Sequence, residues 1–131
     1  MSLRVIPTQV HGVLDYLTGG ALLAAPGLLG LQDEPRAALA LRLAGGGATI
    51  YSLLTDYELG LVRLLPMPAH LALDAMSGVL LASSPWVFGF AERGARYWMP
   101  HVIVGATEML AAATSKTDPE RGKRKLHAPV S

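Results

Sequence analysis

The chain carries one segment twice, at positions 7–30 and 66–89. Both copies are long apolar stretches that hold a histidine and an aspartate four residues apart. The residues that recur, each shifted by 59 positions, are Pro7, His11, Leu14, Asp15, Gly19, Leu22, Pro26 and Gly30 in the first copy and Pro66, His70, Leu73, Asp74, Gly78, Leu81, Pro85 and Gly89 in the second. A duplication of this length indicates a fold built from two equivalent units.

The composition favours helices in a membrane. Hydrophobic residues make up 51% of the chain and charged residues 16%, with a mean hydropathy of +0.37. Four apolar blocks, at 9–29, 36–54, 69–88 and 98–115, each approach the roughly 20 residues that a bilayer core requires. We therefore predict an all-α fold, a four-helix transmembrane bundle made of two tandem helical-hairpin repeats, with the lipid bilayer as its main partner.

The predicted transmembrane domain covers residues 1–116, with repeat one at about 7–58 and repeat two at about 66–116. Residues 117–131 are polar and basic, and we expect a mobile cytoplasmic tail there. Basic residues are more numerous on the side that holds both termini and the middle loop. The positive-inside rule therefore predicts a multi-pass protein with both termini in the cytoplasm.

Charge and cysteine content exclude several function classes. A net charge of +1 gives no basis for nucleic-acid binding. Because the chain has no cysteine, disulfides, thiolate catalysis and thiolate metal sites are excluded. Ser77 and Ser84 lack any context that would activate a nucleophile, so we predict no catalytic residue. A non-enzymatic role is the expectation, with a membrane enzyme acting on a quinone or lipid as an alternative.

The recurring polar residues predict a candidate site. His11 and Asp15, like His70 and Asp74, are spaced so that each pair shares one helix face. A carboxylate within a lipid-length helix is costly unless it faces the bundle interior or a partner. Both pairs start their helices on the same side of the membrane, so we expect the four side chains to converge at one end of the bundle.

Further polar residues come from the second helix of each hairpin. The repeat extends weakly into these helices, where 47–49 and 105–107 both read Gly-Ala-Thr. Helix two ends with polar residues on the side of the two His–Asp pairs, and helix four carries a carboxylate near mid-membrane and a histidine nearer the other side. These supporting residues are Tyr51, Asp56, Glu58, His101 and Glu108.

Three interpretations of this polar face remain open. It could be a hydrogen-bonded network that fixes helix packing, in a structural or partner-binding protein. It could bind a divalent metal ion, because two imidazoles and two carboxylates form a ligand set that suits zinc, manganese, iron or nickel. It could also bind and pass protons, since intramembrane Asp, Glu and His form such relays. Four helices leave little room for a pore, so the last interpretation favours a homo-oligomer or a membrane-protein partner.

Aromatic residues cluster where helices three and four meet the outer surface. Such rings prefer the head-group level of a bilayer, so we interpret them as membrane-interface anchors. The anchors are Trp86, Phe88, Tyr97 and Trp98.

The sequence 84–90, Ser-Pro-Trp-Val-Phe-Gly-Phe, resembles the signature of the SPW-repeat family of small bacterial membrane proteins. Asp74 and Gly78 ahead of it are also similar to the family pattern. The first copy departs from the pattern, because Ala-Pro-Gly at 25–27 replaces Ser-Pro-Trp. The resemblance implies a four-helix protein of the bacterial cytoplasmic (inner) membrane, and it implies no particular activity.

Overall fold

The computed structural model describes residues 2–119, which form four helices. These are α1 (Thr8–Leu28), α2 (Pro35–Leu53), α3 (Met67–Val87) and α4 (Ala95–Thr114), with a short 3-10 turn at Ala91–Arg93. Two isolated β-bridges are present in this range, and it contains no strand. The predicted all-α, four-helix fold is confirmed. Most of the predicted tail, residues 120–131, lies outside the described residues.

None of the helices within residues 2–119 is both long enough and apolar enough to qualify as a membrane span.

The recurring prolines and glycines set the bounds of α1 and α3. Pro7 and Pro66 precede the two helices with the same extended backbone, and each carbonyl accepts the first helical hydrogen bond at 3.0 Å. After the helices end, Gly30 and Gly89 adopt φ angles of 65° and 78°. Glycine takes up this left-handed conformation without the steric cost that a Cβ imposes, which makes it a common helix stop.

Each hairpin is held together by a close contact between glycines. A Cβ on Gly45 of α2 would lie 2.8 Å from the carbonyl oxygen of Gly19 on α1, and a Cβ on Gly105 of α4 would lie 2.5 Å from that of Gly78 on α3. Gly105 is therefore equivalent to Gly45. The sequence pairing of 47–49 with 105–107 is wrong by two positions, because Gly47 lies away from the glycine contact.

The two hairpins are joined at one end by two equivalent bridges. Ile6, just before α1, pairs with Ser115 at the end of α4. Leu65, just before α3, pairs in the same parallel manner with Thr55 at the end of α2. Each hairpin thus holds the chain entering the other, which gives the bundle a pseudo-twofold axis and places the starts of α1 and α3 near each other.

The larger apolar core and the His/Asp pairs lie at opposite ends of the bundle interior. The larger apolar core lies at the end where α1 and α3 finish, and it consists of Leu22, Leu31, Ala37, Leu41, Leu81, Phe90 and Tyr97. The outer surface is also strongly apolar. Every helix has a leucine that is about two-thirds exposed: Leu17, Leu43, Leu80 and Leu110.

The predicted aromatic anchors fall into two groups. Trp86 and Phe88 are 59% and 54% exposed, and the ring of Trp98 lies 5.9 Å from that of Trp86. Tyr97 differs, since it is 7% exposed and belongs to the apolar core. Successive residues of a helix point in directions more than a quarter of a turn apart. Tyr97 therefore faces the bundle interior, in a different direction from Trp98, the next residue.

Candidate metal centre

Two histidines and two aspartates, one pair from α1 and one from α3, meet inside the bundle. His11 Nε2 lies 3.1 Å from Asp15 Oδ1 and 2.8 Å from Asp74 Oδ2. His70 Nε2 lies 3.0 Å from Asp15 Oδ2 and 3.2 Å from Asp74 Oδ2. One potential ligand atom from each side chain lies within 4.8 Å of the other three. We call these four residues the His/Asp cluster.

The outer nitrogen of each imidazole is held by a hydroxyl from the opposite hairpin. His11 Nδ1 lies 2.6 Å from Ser115 Oγ, and His70 Nδ1 lies 2.7 Å from Thr55 Oγ1. The Thr55 hydroxyl donates its own hydrogen to the carbonyl oxygen of Tyr51 at 2.6 Å, so it must accept from His70. His70 therefore carries a hydrogen on Nδ1, and its Nε2 is directed at the two carboxylates.

Two tyrosines hold the carboxylates in place from non-equivalent positions. The Tyr51 hydroxyl of α2 donates to Asp74 Oδ1. The Tyr57 hydroxyl, from the segment between α2 and α3, donates to Asp15 Oδ2 at 2.8 Å. Tyr57 is fully buried, and burial, with the nearby Asp15 carboxylate, raises the pKa of its hydroxyl above its usual range. Tyr57 therefore stays a neutral hydrogen-bond donor.

The Nε2 atom of His70 faces two carboxylates in an arrangement that its neutral imidazole, with the hydrogen on Nδ1, does not satisfy. An Nε2 atom without a hydrogen presents a lone pair, and lone pairs repel carboxylate oxygens unless a proton or a cation lies between them. His70 Nε2 is buried and makes no well-oriented hydrogen bond within residues 2–119. Two imidazole nitrogens and two carboxylate oxygens at these separations are an N2O2 set of atoms that could hold a divalent cation.

The supporting residues predicted from the sequence lie in different places. Glu58 lies beside the start of α1, where the Thr8 hydroxyl donates to its carboxylate at 2.8 Å. Asp56 donates its backbone N–H to the carbonyl oxygen of Leu65 at 2.7 Å.

Helix α4 carries the other two supporting residues. Glu108 is 9% exposed and has Ser77 within hydrogen-bonding reach. His101 lies toward the apolar core: its Nε2 is 3.0 Å from the carbonyl oxygen of Ala37, and its ring is 4.8 Å from that of Phe90. These contacts place His101 outside the His/Asp cluster. On α4 it lies almost two helical turns from Glu108.

Sequence reasoning missed the hydroxyls of Thr55, Tyr57 and Ser115. All three residues lie at or beyond a helix end, where helical periodicity no longer indicates which way a side chain points. One signal was available, since hydroxyl residues at corresponding helix ends are expected partners for a duplicated histidine.

A second polar network, also missed, closes the opposite end of the bundle. The Glu34 carboxylate, just before α2, accepts from Arg36 Nε at 2.8 Å and from Arg93 Nη1 at 3.2 Å. The Arg36 hydrogen bond, aided by Arg93, lowers the pKa of Glu34 to about 2. Asp33 accepts from the Tyr97 hydroxyl at 2.8 Å and from Arg93 at 3.1 Å. These contacts join the two hairpin loops far from the His/Asp cluster.

A family model, the SPW repeat domain, matches residues 9–115. The match covers all four helices and both copies of the His–Asp pair. No curated protein and no solved structure matches the chain. The chain belongs to the SPW repeat family.

Proposed function

We propose that this protein is a metal-binding protein of the bacterial cytoplasmic membrane, in which the His/Asp cluster binds one divalent transition-metal ion. The observation that carries the proposal is the direction of the imidazoles. A hydroxyl fixes the hydrogen of His70 on Nδ1, and the buried Nε2 lies within 3.2 Å of two carboxylates without a well-oriented hydrogen bond. This is the arrangement by which outer partners prepare a histidine to bind a metal.

The ligand chemistry favours zinc and its first-row neighbours. Imidazole nitrogen and carboxylate oxygen together suit zinc, manganese and iron, and a four-coordinate N2O2 set is most typical of zinc. Tyr51 and Tyr57 each hold one carboxylate, so both histidines and both aspartates have a partner outside the cluster. The ligands are thus held in place before an ion enters.

A membrane location is supported by how polar and apolar residues are distributed. The buried polar residues lower the mean hydropathy of each helix, yet they lie inside the bundle. Exposed large apolar side chains, many of them leucines, lie on the outside of all four helices. Water-soluble proteins rarely expose apolar surface of this extent, whereas hydrocarbon chains accept it. The exposed Trp86 and Phe88 at the end of α3 suit the head-group region.

A cobalt titration tests the proposal. Co²⁺ added to the metal-free protein in mild detergent is expected to give ligand-field absorption that saturates at one ion per chain, and one equivalent of Zn²⁺ should remove it. The double variant His11→Ala with His70→Ala should lose the signal. His101→Gln, which changes a histidine outside the cluster, should keep it.

The outcome separates the remaining interpretations. If wild type gives no saturable cobalt signal while it stays folded, the metal proposal is wrong and the cluster is a hydrogen-bonded or proton-bearing network. If the double variant still binds cobalt with wild-type affinity, the ion binds elsewhere and the assignment to the cluster is wrong.

A further inference from the structure

The bundle has two grooves that the pseudo-twofold axis makes equivalent. One lies between α2 and α3, and the other lies between α1 and α4. Tyr51, whose hydroxyl bonds to Asp74, lines the first groove, whereas Asp15 and Asp74 of the His/Asp cluster line the second. Equivalent positions follow from the glycine contacts, in which Gly45 corresponds to Gly105.

Two differences between the equivalent helices α2 and α4 bear on the inner end of the grooves. In the α2–α3 groove, Tyr51 extends its ring to the cluster and donates its hydroxyl to Asp74. The position on α4 that corresponds to Tyr51 is Ala111. One turn earlier, helix α4 has Glu108, whereas α2 has Ala48, and both of these residues line the α1–α4 groove. The α1–α4 groove therefore lacks the phenol side chain of the other groove and is lined by a carboxyl group.

The result is a cavity with an apolar wall and a polar inner end. Its volume is about 310 Å³, at the lower limit of typical ligand pockets. Leu14, Leu22 and Ala25 of α1 and Val104 of α4 form much of the wall. Glu108 lines the inner end, and its Oε2 atom is buried and has no hydrogen-bond partner among residues 2–119. A buried polar atom without a partner costs free energy that a ligand hydroxyl can recover.

We propose that the α1–α4 groove binds a lipophilic phenol, whose ring lies beside Ala111 and whose hydroxyl bonds to Glu108. Tyr51 in the equivalent groove shows that a phenol fits between two helices and reaches the cluster. A hydroxyl suits Glu108 in either protonation state, because it can donate to a carboxylate or accept from a carboxylic acid. Alkylated phenols and hydroquinones dissolved in the bilayer are the class of molecule that could enter from the side. The inference rests on the proposed membrane location for the supply of ligand, and it requires no bound metal.

Calorimetric titration of the purified protein in detergent tests the inference, with 4-propylphenol as the probe and propylbenzene as the analogue without a hydroxyl. We expect saturable binding of one 4-propylphenol per chain. The hydroxyl bond to a buried carboxyl group should make propylbenzene about tenfold weaker or more. Glu108→Leu should abolish this preference. Equal affinity for the two probes in wild type, or no saturable binding, would overturn the inference.

Ala111→Tyr is the blocking variant, because it installs in this groove the side chain that Tyr51 provides in the other. We expect it to abolish binding of 4-propylphenol, whereas Ala113→Tyr on the exposed face of the same helix should bind as wild type does. Wild-type binding by a folded Ala111→Tyr variant would refute the location. Repeating the titration with EDTA and with Zn²⁺ separates the two proposals, since phenol binding without any metal binding would leave this inference standing and the metal centre refuted.

Discussion

Thr55 offers a way to disturb the His/Asp cluster without changing a metal ligand. Its hydroxyl is fully buried, accepts from His70 Nδ1 at 2.7 Å and donates to the carbonyl oxygen of Tyr51 at 2.6 Å. Thr55→Val keeps the shape of the side chain and removes the acceptor. The hydrogen of His70 can then move to Nε2, where it would donate to the carboxylates and compete with the ion.

The expected cost follows from the role of such outer partners. Loss of the partner of a metal-binding histidine weakens metal affinity about 10- to 100-fold, which corresponds to about 1.4–2.8 kcal/mol. The assay is competition for Zn²⁺ between the detergent-solubilised protein and a chelating indicator. Thr114→Val is the matched control, since the Thr114 hydroxyl also donates four residues back, to Leu110, in an exposed hydrogen bond that involves no residue of the cluster. A Thr55→Val affinity within about twofold of that of the control would refute the assigned hydrogen position and its role.

Three other predictions use different parts of the structure. Tyr51→Phe, which removes the donor to Asp74, should also weaken Zn²⁺ binding about 10-fold or more in the competition assay, and unchanged affinity would contradict this role. Gly105→Ala should lower the free energy of unfolding by about 1–3 kcal/mol in denaturant titrations, because its Cβ would lie 2.5 Å from a backbone oxygen. Gly47→Ala should not lower it, because a Cβ there meets no atom within 4 Å. Equal effects of the two substitutions would contradict the glycine contact. The pKa of Glu34 is lowered to about 2 in the folded protein. Its ion pairs should therefore stabilise the protein fully above the pKa of the unfolded state, and this stabilisation should be lost as pH falls toward 2. Acid unfolding curves of Glu34→Gln should lack this loss, and curves identical to those of wild type would contradict the prediction.

The sequence was sufficient to predict the helices and which faces point inward. Four apolar blocks gave four helices, because helix formation here follows local apolar length and the prolines and glycines that limit it. The spacing of His11 and Asp15 predicts a shared inward face, and in the structure they meet their counterparts from α3.

The register of α2 and α4 and the partners of the cluster could not be read from the sequence. Local similarity pairs Gly47 with Gly105. The loop of the second hairpin is one residue longer than that of the first, and the residue that makes the equivalent contact is Gly45. Tyr57 reaches Asp15 from a segment without helical period, so its direction depends on how the chain folds back between α2 and α3.

The metal content of the protein, purified from membranes without an affinity histidine tag or chelator, tests the central claim most directly. The account predicts about one zinc-class ion per chain in wild type, and almost none in the double variant His11→Ala with His70→Ala, because both nitrogen ligands are then lost. A wild-type protein that is folded and carries no metal, or a double variant with the full wild-type content, would contradict it.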